Sequence, residues 1–417
     1  MLDIRFIREN AELVEQKAKQ KGFEVDVPGV LNKDKSRREK LDEIQKLQKE
    51  RNELSNSIKG RPPTHEETEK GRALKERIAP LEKNLNTIEE EFQKSFQEIP
   101  NIFPDDTPLG DEEASREERK WGDTPDKGFE VVDHVTWAEQ RGLLDFERGA
   151  KIAGSKFYFT TGALVQLELA LTQWAMDFVA KQNFLPMLVP HLVNSRVIDG
   201  TGFKARTKEE EQIYKVEGQD LNLIATAEIP LTAFHADEIL AEKDLPKLYA
   251  GYSPAYRKEA GAYGKHSKGL YRVHQFNKVE LYVFCKPEDS EHWHQKMVEL
   301  EEKLCQQLSI PYRVVRIAAG DLGAAAYKKY DIEYWSPLDK SYRELTSCSN
   351  VTDYQARRLN IRYRKASGGT SYVHTLNGTA AATSRLMIAI IENYQTEGGK
   401  VSVPVALRPY MGGQLSI

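Results

Sequence analysis

The chain has 417 residues, 40% apolar and 30% charged, which is enough for two domains with a sizeable core. Its net charge of −4 excludes a uniformly basic nucleic-acid coat, though not a local basic stripe. Three scattered cysteines (Cys285, Cys305, Cys348) exclude a disulfide framework and a cysteine zinc site, and no apolar run is long enough to span a membrane. The start, MLDIRFIREN, is charged and lacks a signal-peptide core, so a soluble cytoplasmic protein is expected.

Residues 35–98 read as two helices. Leu74, Ile78, Leu81, Leu85, Ile88 and Phe92 follow a heptad seam. Ile44, Leu47, Leu54 and Ile58 fit the same template, with Arg51 at an intervening seam position. Gly60-Arg61-Pro62-Pro63 breaks the helix between the two runs, which predicts an antiparallel hairpin, an arm roughly 35–50 Å long. Pro80 is expected to kink the second helix without ending it. The first helix is rich in Lys and Arg (Lys35, Arg37, Arg38, Lys40, Lys46, Lys49, Arg51), the second in Glu. That asymmetry fits pairing between the helices, and it also fits a face that follows RNA phosphates.

A Pro- and acid-rich stretch over residues 99–125 reads as a linker, and the body begins near Val131. Ala163, Leu164, Leu167, Leu171, Trp174 and Phe178 predict a long amphipathic helix leading into Phe184–Pro190. Strands are expected over 221–224, 247–252, 272–276, 279–284, 312–317 and 342–345, with helices at 229–241 and 290–308. Close-set strands with few crossover helices predict an α+β body built on an antiparallel sheet.

Four clusters in this body can carry chemistry. The stretch 256–276, YRKEAGAYGKHSKGLYRVHQF, sets Arg257 and Glu259 two apart at a strand end, where both would project from one face. A guanidinium grips two phosphate or carboxylate oxygens, a carboxylate accepts from an amine, and Phe276 can stack a base. Between them lie Gly261, Gly264 and Gly269 for close backbone approach, with Lys265 and Lys268 as mobile charge. Thr226-Ala227-Glu228 precedes a helix, so Glu228 fits a first-turn helix carboxylate as well as a ligand contact. Glu344-Leu345-Thr346-Ser347 places an acid and a hydroxyl three apart, which suits a hard cation such as Mg²⁺ and equally a satisfied loop acid. Asn377-Gly378-Thr379 leads through small residues to Arg385, which alone fits a salt bridge as well as a catalytic role. No phosphate loop of the G-x-x-x-x-G-K-[ST] type and no strand-linked G-x-G-x-x-G is present.

In this order the clusters resemble the seryl-tRNA synthetases, a family of class II aminoacyl-tRNA synthetases, over nearly the whole chain. The distinguishing strings are Thr226-Ala227-Glu228, His274-Gln275-Phe276, Ser347-Cys348-Ser349-Asn350 with Gln355-Ala356-Arg357-Arg358, and Glu392-Asn393-Tyr394-Gln395. The resemblance implies a class II antiparallel β-sheet catalytic domain with an N-terminal antiparallel α-helical coiled-coil hairpin. It sets the domains at 1–110 for a tRNA-binding arm, 111–130 for a linker and 131–417 for the catalytic domain. Motif 1 would be helix 163–180 and the strand to Pro190, which forms a homodimer interface in the family. Motif 2 would be the 256–276 stretch, and motif 3 would be 376–393.

The resemblance further implies activation of L-serine by ATP, then transfer of the seryl group to serine tRNA, with selenocysteine tRNA left open. Arg257 would bridge the α-phosphate and the serine carboxylate, Arg385 would hold the γ-phosphate, and Glu344 with Ser347 would carry Mg²⁺. Lys258, Glu259, Val273, Phe276, Leu345 and Thr346 would complete the ATP site, with Glu259 on the adenine amine and Phe276 on its ring. Thr226, Ala227, Glu228, Glu280 and Thr379, together with Arg257, would enclose serine. Lys265 and Lys268 stand where the family commonly has arginines, keeping the charge without the planar fork. The basic helix now reads as an RNA surface. The alternative, a catalytically silent RNA-binding relative, would be expected to lack Arg257, Arg385 or Glu344, and all three are here.

Overall fold

The computed structural model describes residues 1–124, 126–203, 211–259 and 269–417. Lys265 and Lys268 lie outside the described residues. The chain divides into two compact units, one of Met1–Lys19 and Phe23–Pro100, the other of Gln20–Gly22 and Asn101–Ile417.

The first unit is helical. Its two long helices are α1 (Val27–Ser57) and α2 (His65–Gln97), so the first starts well before the recognisable seam. Asp26 caps α1 by accepting from the Gly29 N–H, with a proline in the first turn. Thr64 and Glu67 form a reciprocal capping box on α2, and α2 runs unbroken through Pro80. The helices are antiparallel neighbours: Arg37 donates to Glu89 at 3.2 Å and Gln48 to Glu82 at 3.1 Å. Ile44, Leu47, Leu74, Ile78 and Phe92 are buried along the seam. Leu54, Leu81, Leu85 and Ile88 are half-buried and Arg51 is exposed, because two helices alone cannot cover every seam position. Asp34 is fully buried and ion-paired to Arg8, Arg37 and Arg38.

The second unit is built on one eight-stranded sheet. Its strands in chain order are β1 (Arg116–Trp121), β2 (Leu185–Leu188), β3 (Lys247–Tyr256), β4 (Gln275–Cys285), β5 (Tyr312–Arg316), β6 (Lys328–Ser336), β7 (Ser341–Thr352) and β8 (His374–Ala382). In space they run β1-β5-β6-β7-β8-β4-β3-β2. Every pairing is antiparallel except the edge pair of β2 with β3, which is parallel. Three helices, α3 (Ala163–Ala180), α4 (Ser290–Gln307) and α5 (Thr383–Asn393), share one apolar core with Val279, Leu281 and Val283 of β4. Tyr282 and Phe284, pointing the other way, join a second core with Ile224, Ala227, Ile229 and Leu359. A strand covered on both faces reads as a continuous apolar run, as 279–284 does.

Three expectations are corrected. The helix placed at 229–241 ends early: it spans Glu228–Ala233, and Ile239–Ala241 is a short strand parallel to Arg362–Arg364. Asp237 adopts a left-handed φ of +64°, which no helix carries through. Part of the expected linker 111–130 is β1, the sheet edge, whose six residues are all exposed and therefore read as linker. Finally, 272–276 and 279–284 are not two strands; Gln275–Cys285 is a single one, and Arg272 and Val273 precede it.

Candidate active site

A cleft opens on the sheet where β7 and β8 diverge. It is lined by Arg257, Glu259, Val273, Phe276, Glu344, Leu345, Thr346, Ser347, Thr379 and Arg385, all anticipated from the sequence. Tyr271, Lys278, Ala382 and Ser384 also line it and were not anticipated. Lys258 does not line the cleft; its backbone N–H donates to the Gln212 carbonyl at 3.0 Å.

Arg257 and Glu259 share the cleft by a different backbone route from the one expected. The strand ends at Tyr256, and Glu259 has φ +46°, so simple strand alternation does not apply. Gln212 fixes this bend, its side-chain oxygen accepting the Glu259 N–H at 2.9 Å. The Glu259 carboxylate pairs with Arg272 at 3.3 Å. The Arg257 guanidinium lies 5.3 Å from the centre of the Phe276 ring and donates through Nε to the Ala225 carbonyl at 3.2 Å. Burial lowers its pKa; Glu259 counters and the neighbouring Arg385 adds to the lowering, but a guanidinium remains charged.

Arg385 sits at the head of α5, paired with Glu344 at 2.8 Å. Its guanidinium packs 4.7 Å from the centre of the Tyr271 ring, and the Tyr271 hydroxyl donates to the Glu344 carbonyl at 3.1 Å. Burial opposes ionisation of Glu344, but the Arg385 and Lys329 cations outweigh it and hold its pKa at about 2. Ser347, three residues on, lines the same cleft. The Thr346 hydroxyl instead bonds Glu301, leaving its main chain nearer the cleft.

Thr226, Ala227, Glu228 and Glu280 do not line the cleft; the polar ones form a buried cluster that meets it through Lys278 and Thr379. Thr379 stands opposite Glu280 across β8 and β4. Glu280 accepts from Thr226 Oγ1 at 3.0 Å and is ion-paired with Lys278. Glu228, at the first turn of its helix, accepts from Gln355 Nε2 at 2.8 Å and Asn377 Nδ2 at 3.0 Å, both on Oε1. Gln355 is itself oriented by Tyr282 and Thr375 hydroxyls donating to its oxygen. Burial, and then the charge of Glu280, push the Glu228 pKa up to about 7. Ala227 is fully buried in the second core, with its methyl against the space beside Gly251. Gln355 was visible in a recognisable string, but only the fold reveals that it orients Glu228.

Residues 1–103 match the family described as Seryl-tRNA synthetase N-terminal domain, and residues 212–394 match the tRNA synthetase class II core domain (G, H, P, S and T). The serine–tRNA ligase of Rubrobacter xylanophilus is 46% identical over 100% of this chain and 99% of its own. The crystal structure of seryl-tRNA synthetase from Pyrococcus horikoshii complexed with ATP superposes with TM-score 0.90 at 42% identity, covering 100% of this chain and 99% of that one. The chain belongs to the seryl-tRNA synthetase family. A cytoplasmic serine–tRNA ligase from Naegleria fowleri in complex with AMP also matches, with TM-score 0.86 and 34% identity over 100% of this chain and 98% of that one. Membership makes the chain a ligase with the class II sheet. The silent alternative has no support, since Arg257, Arg385 and Glu344 are present and gathered in one cleft.

Proposed function

We propose that this chain condenses L-serine with ATP in this cleft and passes the seryl group to serine tRNA. The observation carrying this reading is the placement of Arg257 and Arg385 in one cleft, with Glu344 paired to Arg385 and Glu280 opposite Thr379. Two fixed guanidiniums suit a reaction in which a carboxylate attacks a phosphate, because both reactants and the leaving pyrophosphate are anionic. Arg257 brings the serine carboxylate and α-phosphate together, and Arg385 draws the far phosphates aside so that attack is in line. Glu259 and Phe276 fit an adenine, the first by accepting from its amine and the second by its ring face.

At the other end, Glu280 and Glu228 offer carboxylates for the serine ammonium and hydroxyl, and Thr226 and Thr379 narrow the space around them. Polar groups arranged for a hydroxyl are left unpaired by alanine, which is rejected strongly. Glu344 is ionised and Ser347 supplies a hydroxyl, hard oxygen donors that suit Mg²⁺. Among the described residues no three His, Cys, Asp or Glu side chains gather to hold a metal, so phosphate and water oxygens would supply the remaining ligands. When bound, the ion offsets negative charge on the phosphate oxygens.

For tRNA, the basic face of α1 is the docking surface. Lys35, Lys40 and Lys49 pair with acids of their own helix, Glu39, Glu43 and Glu53, at 4.0, 2.9 and 3.9 Å. Such exposed pairs are worth well under about 1 kcal/mol and yield readily to a phosphate. A homodimer forms through α3 and β2, which expose Leu169, Leu185 and Leu188. The test is amino-acid-dependent ATP–pyrophosphate exchange across a panel of amino acids. Exchange should appear with serine and not with alanine or threonine; its absence with serine would refute the proposal.

A further inference from the structure

One buried carboxyl near the cleft has no part in the chemistry above. Glu301, on α4, is 1% exposed. It comes up from the helical side of the sheet at Gly378, where no side chain blocks it. A Cβ built on that glycine would stand 2.7 Å from Glu301 Oε1 and 2.9 Å from Met297 Cε. Oε1 accepts the backbone N–H of Thr379 at 2.9 Å, and Oε2 lies 2.6 Å from Thr346 Oγ1.

The register explains why both groups need a partner. The β7–β8 ladder runs from Thr352↔Thr375 and stops at Cys348↔Gly378. Beyond that rung the strands part to make the cleft, Thr346 and Ser347 on one side and Thr379 on the other. On its other side β8 also shifts register against β4 between Thr379 and Ala381. The Glu301 carboxyl takes the place of the missing rung, tying Thr379 to Thr346 across the gap.

We infer that Glu301 is a positioning residue that sets the serine half of the cleft against the nucleotide half and so governs recognition of the amino acid. This rests on the reading that Thr379 borders serine and that 344–347 border ATP. Oε1 and Oε2 accept from the Thr379 N–H and the Thr346 hydroxyl. Burial raises the pKa well above the usual range, those two bonds oppose the rise, and the charges of Glu280 and Asp331 add to it, so the surroundings favour a neutral bridge. A neutral acid accepts through its carbonyl oxygen and shares a hydrogen bond with the Thr346 hydroxyl through its own. A glutamine amide does the same with nearly the same shape.

The experiment compares Glu301→Gln, Glu301→Ala and Thr346→Val with the unaltered full chain. It measures KM for serine, KM for ATP and the serine-to-threonine ratio of kcat/KM in ATP–pyrophosphate exchange, with thermal unfolding alongside. Glu301→Gln should stay within about threefold of the unaltered chain in every constant. Glu301→Ala should raise KM for serine tenfold or more and cut discrimination against threonine at least tenfold, with KM for ATP less affected. Thr346→Val, losing one of the two bonds, should fall between. If Glu301→Gln is as impaired as Glu301→Ala, the neutral bridge is wrong. If Glu301→Ala lowers the melting temperature and kcat but leaves KM for serine and discrimination unchanged, Glu301 is structural only and the inference fails. Should Glu301→Ala not fold, Thr346→Val decides by the same readout: an unchanged KM for serine overturns the bridge. Loss of serine exchange in the unaltered chain would instead sink the proposed function, a separate outcome.

Discussion

Glu228, a carboxyl pushed up to about 7, belongs to the proposed site for the serine ammonium. With its pKa at about 7, Glu228 is largely protonated in mildly acidic solution, and protonation competes with an ammonium ligand. KM for serine should therefore rise as pH drops from about 7 to about 6, by up to about tenfold per unit, and level off above that range. Glu228→Gln should flatten this limb. A pH-independent KM in the unaltered chain would remove Glu228 from serine binding. In the free protein the sign reverses. A pKa raised from 4.5 means that the fold favours the neutral acid, so this contribution to stability is present below about 4.5 and lost as pH rises through about 7. Arg257, Glu344 and Arg385 were legible in the sequence because each belongs to a local string whose residue types match phosphate chemistry. Glu301 and Lys278 were not legible: one looks like any glutamate on an amphipathic helix, the other like a strand lysine. Their partners lie across the sheet, Thr379 being 78 residues beyond Glu301.

At the scale of elements, the helical hairpin was readable because a heptad seam and a Gly-Pro breaker are local signals. The edge strand β1 was not, since its six exposed residues gain their strand character only by pairing with β5. β6 was missed although Tyr330, Ile332 and Tyr334 alternate with Asp331 and Glu333, a period-2 signal that the sequence does carry. The antiparallel register of α1 and α2, marked by Arg37 on Glu89 and Gln48 on Glu82, allows a clean truncation. Removing residues 48–81 and joining Leu47 to Glu82 through a short Gly-containing turn takes away Leu54, Leu74, Ile78 and Leu81, the partners of Leu47, and keeps the pairing of Arg37 with Glu89 and the stacked Phe92 and Phe96. This variant should retain ATP–pyrophosphate exchange within about twofold and lose tRNA charging by about tenfold, because it removes the outer part of the hairpin with Lys49 and Arg51 of α1 and Lys70, Arg72, Lys75 and Arg77 of α2. Equal loss of both activities would mean that the hairpin is not a separate RNA device.

At the scale of the whole molecule, the sheet ends at β2, a four-residue strand with Leu188 82% exposed and Leu185 57% exposed. Leu169 on α3 is 61% exposed. Isolated exposed leucines are ordinary, but three on the elements that flank one sheet edge fit a self-complementary contact. Chromatography with light scattering should give the mass of two chains, and Leu188→Glu combined with Leu169→Glu should shift it to one. A single-chain mass for the unaltered protein would exclude this assembly at the concentration used.

Gly378 has a consequence of a different kind, for how the sequence can change over time. It does not adopt a left-handed φ, so conformational freedom is not the reason for a glycine there. Each of the other nineteen amino acids brings a Cβ into the space that the Glu301 carboxyl passes through. No single substitution at 378 leaves the bridge in place, and shortening the side chain at 301 alone leaves a hole where the carboxyl was. A glycine in a strand and a glutamate on a helix therefore constrain each other's change, with glutamine the replacement that position 301 accepts alone.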